Sequence, residues 1–119
     1  EDDIANIGDI PIVGLIPNIN EESDRLKVYL SPKSAVAEAF RNLRTNLQFM
    51  SNYKAAHMIA VTSTVGDEGK TTVCINLGGI MSMAGKKTVV LNLDMRKPTL
   101  HEKFGLPNKV GMSTLLSGA

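Results

Sequence analysis

The chain has 119 residues, enough for one compact α/β domain and too few for two. Its apolar content of 43% is that of a folded globular protein, and a formal net charge of +1 leaves no basic footprint for a nucleic-acid backbone, so no nucleic-acid partner is expected. One cysteine, Cys74, excludes an internal disulfide framework or a cysteine-rich metal centre and suits a reducing compartment; it reads as a small buried apolar residue.

The amino end, Glu1-Asp2-Asp3-Ile4, is acidic where a signal peptide starts basic, and no stretch approaches the ~18 consecutive apolar residues that span a bilayer. Ile10-Pro11-Ile12-Val13-Gly14-Leu15-Ile16-Pro17 predicts a short strand whose bounding prolines favour a sheet edge. Asn18 to Lys27 is polar and aperiodic, which predicts an exposed connection. Ser31-Pro32 predicts an N-cap with proline at the first helical position. In the helix that follows, Val36, Phe40, Leu43, Leu47 and Met50 recur at helical spacing and form one stripe facing the core. Glu38, Arg41 and Arg44 lie off that stripe, where spacing alone predicts a solvated face with an i,i+3 ion pair.

Met58-Ile59-Ala60-Val61-Thr62 predicts a buried strand, Ser63 to Gly69 a loop, and Lys70 to about Ala84 a helix with Gly85 as its terminator. Thr88-Val89-Val90-Leu91-Asn92-Leu93 predicts a second strand. Strand, loop, helix and strand make a βαβ unit with parallel strands, hence an α/β fold of the P-loop type: a mostly parallel sheet with flanking helices. Beyond Pro98 the pattern predicts a short helix around Leu100 to Phe104, a turn from Gly105 to Gly111, and a helical start at Met112.

The loop Ser63-Thr64-Val65-Gly66-Asp67-Glu68-Gly69-Lys70-Thr71-Thr72 joins a strand to a helix N-terminus, where backbone amides can cradle phosphates. Val65 to Gly69 supply the cradle. Lys70 is placed to neutralise β- and γ-phosphates, Thr71 to ligate magnesium, and Thr72 to help hold the α-phosphate. The common pattern G-x-x-x-x-G-K-[ST] has glycine where Thr64 stands. A plain structural reading gives Gly69 a tight turn and Lys70 a solvated first-turn position. A cation at that helix end is disfavoured by the helix dipole, so nucleotide binding is the better account.

Ser63 to Thr71 and Leu91-Asn92-Leu93-Asp94-Met95-Arg96-Lys97-Pro98 resemble the cytoplasmic domain of the bacterial tyrosine kinases that govern capsule and exopolysaccharide export, relatives of the partitioning ATPases. The family's Walker A form, S-x-x-P-x-E-G-K-[ST], is matched at Ser63, Glu68, Gly69, Lys70 and Thr71, with Gly66 in place of proline. Its Walker A′ form, D-x-D-x-R, is matched at Asp94 and Arg96, with Asn92 in place of the first aspartate.

The resemblance implies ATP or ADP and Mg2+ as ligands, with Lys70, Asp94 and Asn92 at catalytic positions and Thr71 and Asp94 as metal ligands. An amide at position 92 cannot accept a tyrosine proton as a base, so transfer should be weakened while ATP binding survives. The family's E-x-x-R-x-x-R motif is matched by Glu38, Arg41 and Arg44, which implies self-association through them. The segment Ile10 to Pro17 resembles the stretch after the second membrane helix. A membrane adaptor or fused transmembrane chain-length-determinant domain, and a place on the cytoplasmic face of the inner membrane, are therefore implied.

On this reading residues 1–30 are a membrane-proximal lead-in and edge strand, and 31–119 are the nucleotide-binding core of one partial domain. Relatives place a Walker B strand and a tyrosine cluster further on; here only Tyr29 and Tyr53 occur, far apart, so an oligomer-forming chain is expected that is either truncated or a natural short protein binding nucleotide without the full catalytic apparatus. Two other functions fit the same loop. A partitioning-type ATPase would need a lysine early in the loop, where Thr64 stands. A nucleotide-sensing assembly module would need no phosphoryl transfer at all.

Overall fold

The computed structural model describes residues 10–19, 26–50, 57–66 and 69–118. Five helices lie in this range: α1 (Lys27–Leu30), α2 (Ala35–Met50), α3 (Lys70–Met83), α4 (Leu100–Lys103) and α5 (Met112–Ser117).

Helix α2 starts three residues later than Ser31-Pro32 predicts. Ser34 is its cap: the Ser34 Oγ accepts the Ala37 N–H at 3.2 Å and donates to the Ser31 carbonyl at 2.7 Å. A serine side chain in that role is worth about 1 kcal/mol. Pro32 and Lys33 form the turn ahead of it. The predicted stripe is mostly correct. Phe40 is fully buried, and Val36, Leu43 and Leu47 pack against the core around it. Met50 is 58% exposed at the helix end and leaves the stripe, while Ala37, unpredicted, is fully buried.

Helix α3 is the hub, and it ends where the sequence places its end. The Lys86 N–H bonds to the Met81 carbonyl at 3.1 Å and the Gly85 N–H to Ser82 at 2.9 Å, with Gly85 at φ +77°. That is the paired C-terminal closure a left-handed glycine permits. Ile75, Asn76, Leu77, Gly79, Ile80 and Met81 are buried, so the helix is covered on more than one side.

Two adjacent glycines allow this close approach. A Cβ on Gly79 would stand 2.9 Å from Leu26 Cδ2 and Val28 Cγ2, and one on Gly78 would stand 2.8 Å from Val90 Cγ2. The core is therefore the meeting of three helices, with Val28 of α1, Ala37 and Phe40 of α2, and Leu77, Ile80 and Met81 of α3. Burying one large side chain such as Phe40 contributes about 1.5–3 kcal/mol.

Helix α1 falls at the end of the predicted polar connection, and a single buried amide explains its docking. Asn76 Oδ1 of α3 accepts the Val28 N–H at 3.1 Å, while Asn76 Nδ2 donates to the Thr72 carbonyl at 2.9 Å. Val28 is in the first turn of α1, where an N–H has no acceptor within its own helix. Asn76 provides one from 48 residues away. The stretch 10–19 lies along α2: Asn46 Nδ2 donates to the Val13 carbonyl at 2.7 Å, and Ile16 and Ile19 reach the core.

No β-ladder forms among the described residues, including the predicted strands at 10–17, 58–62 and 88–93. A parallel sheet needs cover on both faces. Here Val90 is half-buried and close to Gly78, whereas Val89 is 82% exposed and Leu91 and Leu93 are exposed as well. The four-residue helix α4 and α5 follow the predicted order, though α4 stops at Lys103, before Phe104. No helix of the described residues is long and apolar enough to cross a membrane.

Candidate functional site

The site lies at the N-terminus of α3, the end opposite its glycine closure. Gly69 occupies the N-cap position at φ +85°, a left-handed conformation that suits glycine, and it brings no side chain to cap the helix. The first-turn N–H groups of Lys70, Thr71 and Thr72 have no intrahelical acceptor, so they present the positive end of the helix to whatever fills the loop. Asp67 and Glu68, both predicted cradle residues, fall outside the described residues.

Lys70 is half-buried and turns back across the loop. Its Nζ donates to Ser63 Oγ at 2.7 Å and to the Val65 carbonyl at 3.2 Å, and Ser63 Oγ in turn donates to the Val65 carbonyl at 2.6 Å. These two partners are neutral oxygens. Gly66 is exposed, and a Cβ added to it would meet nothing within 4 Å.

The segment after residue 91 faces this loop with a second set of groups. Asp94 Oδ1 accepts the N–H groups of Lys97 and Arg96, each at 3.1 Å. Those two bonds, with smaller help from the Lys70 and Arg96 charges, hold the Asp94 carboxyl below the usual carboxylate range. Asn92 Oδ1 accepts the Asp94 N–H at 3.0 Å. The amide at position 92 thus braces the turn that aims Asp94, a role an aspartate could fill equally well. Thr71 Oγ1 lies 3.4 Å from Thr99 Oγ1, a contact the sequence reading did not anticipate.

Of the predicted residues, Val65, Gly66, Gly69, Lys70, Thr71 and Thr72 therefore sit in one loop and helix mouth, and the charge of Lys70 is felt at Asp94. A hydroxyl and an ionised carboxylate are hard oxygen donors of the kind magnesium takes alongside phosphate oxygens. No cluster of three or more histidine, cysteine or acidic side chains that could hold a metal occurs among the described residues.

The predicted self-association residues lie elsewhere, on α2. Arg41 pairs with Glu38 at 2.7 Å, the predicted i,i+3 pair, and also donates to the Pro32 carbonyl. Arg44 is half-buried, with no hydrogen-bond acceptor at its buried Nε. Cys74 is half-buried, and burial pushes its thiol pKa up, as befits an inert packing residue.

Residues 59–111 match the CobQ/CobB/MinD/ParA nucleotide binding domain. Tyrosine-protein kinase YwqD of Bacillus subtilis is 39% identical over 85 residues, 71% of this chain and 36% of that protein. Tyrosine-protein kinase wzc of Salmonella typhi is 35% identical over 88 residues, 74% of this chain and 12% of that protein. The chain is a homologue of the bacterial tyrosine-protein kinases. The chimerical protein CapA2B2, known from a crystal structure, superposes with a TM-score of 0.84 at 38% identity, over 99% of this chain and 50% of that one. This kinase homologue thus has a P-loop NTPase-like fold, and it spans 36% of the length of YwqD.

Proposed function

We propose that this chain is the ATP-binding part of a bacterial protein-tyrosine autokinase serving capsule or exopolysaccharide export. The observation that carries the reading is Lys70. A lysine is costly at a helix N-terminus unless an anion is to be met there, and this one is already drawn into the loop by Ser63 and Val65. On arrival of a triphosphate, the Nζ exchanges those neutral acceptors for β- and γ-phosphate oxygens, while the amides of residues 69–72 hold the phosphates from below. Thr71 and Asp94 are the residues that would hold magnesium, which would offset the charge of the phosphates. The tight Asp94 turn keeps that carboxylate ionised and in place.

The same reading gives residues 58–62 and 88–93 the role of parallel strands beside α3, supported by the likeness to CapA2B2 at a TM-score of 0.84. It makes residues 31–119 the nucleotide-binding core. It places the protein at the cytoplasmic face of the inner membrane beside a transmembrane adaptor. Self-association runs through Glu38, Arg41 and Arg44, whose spacing sets them off the apolar stripe of α2.

Asn92 favours a second reading. Its amide cannot take a proton from a tyrosine hydroxyl, so ATP occupancy could serve assembly without phosphoryl transfer. A paired measurement separates the two: nucleotide affinity and phosphotyrosine formation, for the chain and for Asn92→Asp. Tight binding with phosphotyrosine gained in Asn92→Asp, when each chain is extended by the carboxyl-terminal remainder of a tyrosine-kinase relative, supports the kinase, and binding with no transfer in either supports the assembly module. Both readings fail if Lys70→Met binds adenine nucleotides as well as the parent chain does.

A further inference from the structure

Resting on the nucleotide-binding reading, we propose that Thr99 is a positioning residue that orients the Thr71 hydroxyl toward the divalent cation. A hydroxyl has one proton and two lone pairs. When Thr71 Oγ1 gives a lone pair to a cation, its proton must point away from the metal and needs an acceptor. Thr99 Oγ1, at 3.4 Å, is the hydroxyl standing there. The separation is longer than a closed O–H···O bond, so the contact shortens as the cation binds, as site hydrogen bonds commonly do on loading.

A second observation points the same way. Thr99 occupies the N-cap position of α4, where a threonine side chain ordinarily accepts a first-turn N–H, yet its hydroxyl makes no such bond. Its backbone is nonetheless fixed: the Thr99 carbonyl accepts the Glu102 N–H at 3.2 Å and the Lys103 N–H at 3.4 Å. The residue is held by its main chain while its side chain is turned out of the capping role and toward Thr71. Outer partners of this kind fix the orientation of a metal ligand, and their loss typically costs about 10–100-fold in metal affinity. Because Thr99 follows Asp94 by five residues, one segment would supply both a metal ligand and the orienter of the other.

The test titrates Mg2+ against the chain with a fluorescent ADP analogue and repeats the analogue titration in EDTA. Thr99→Val is expected to weaken the Mg2+ dependence about tenfold while leaving the EDTA affinity unchanged. Thr99→Ser, which keeps the hydroxyl, should restore the dependence, and Thr99→Ala should match the valine variant. Unchanged thermal melting would show that each variant is folded. A Thr99→Val titration that overlays the parent curve, or an equal loss with and without Mg2+, overturns the proposal alone. Absence of any nucleotide binding by the parent chain overturns the underlying function with it.

Discussion

The two ends of α3 are built on opposite principles. At the carboxyl end Ile80 and Met81 are buried against Phe40 and Val28, two glycines bring neighbouring chain into contact, and the last carbonyls are closed by Gly85 and Lys86. At the amino end the cap has no side chain, the lysine is held by neutral oxygens, and the facing segment leaves Leu93 exposed. One end is satisfied internally, and the other is organised around charge and amides still to be met. A phosphate site needs both. The buried half fixes the helix axis, so that the open half can present its N–H groups in a set direction without reorganising when the ligand arrives.

This contrast breaks most sharply at Lys70. Lys70→Met should weaken ATP binding about 100-fold, the loss expected for a charge-assisted contact to phosphate. Its melting temperature should hardly move, because the hydrogen bonds lost, to Ser63 and Val65, lie at the open end. Calorimetric titration and a thermal melt on the same sample check both halves of the statement. A large drop in stability would show that the two ends are not separable.

The converse substitution is Asn76→Ala. It leaves the buried Val28 N–H without an acceptor and opens a small void, at a cost of about 2 kcal/mol. Urea unfolding should show the loss as a lower midpoint with an unchanged slope. Well below that midpoint, nucleotide affinity should remain that of the parent chain.

Asn76 also marks the limit of what the sequence discloses. The loop, α3 and its glycine terminator were legible because each rests on neighbours in sequence: a helix mouth, a lysine and a left-handed residue. The P-loop type of fold was legible for the same reason, and the likeness to CapA2B2 bears it out. The partnership of Asn76 with Val28 spans 48 residues and leaves no local pattern. Thr99 escaped for a similar reason, since its hydroxyl meets a residue 28 positions away. The shift of the α2 cap from Ser31 to Ser34 is a different failure. Ser31-Pro32 is a good local signal, but Pro32 and Lys33 form a turn instead and the helix takes Ser34 as its cap.

Smaller effects should follow from the glycines. In Gly79→Ala the new methyl meets Leu26 and Val28, and overpacking outweighs the gain in helix propensity, for a net loss of about 1 kcal/mol in urea unfolding. Gly66→Ala, at the open end, meets nothing within 4 Å and should leave stability unchanged. If Gly79→Ala were neutral, the close docking of α1 on α3 would not be a determinant of the hub.

The smallest effect belongs to Asp94, and its sign follows from the lowered carboxyl pKa. A group whose folded pKa lies below its unfolded value adds stability that is present above the unfolded value and is lost as pH falls through the folded one. Stability should therefore decline on acidification below about pH 4, the ordinary aspartate range. The decline attributable to this exposed group is small, because solvent screens its contacts with the surrounding charges. Asp94→Asn should flatten that part of the stability profile, since an amide oxygen can still accept the Arg96 and Lys97 N–H groups without titrating. The same variant at neutral pH should weaken Mg2+-dependent nucleotide binding far more than it alters folding. Fluorescent ADP titrations with Mg2+ and with EDTA read that split. Equal loss in both conditions would place Asp94 in the loop's scaffold instead of at the metal, leaving Thr71 as the predicted metal ligand among the described residues.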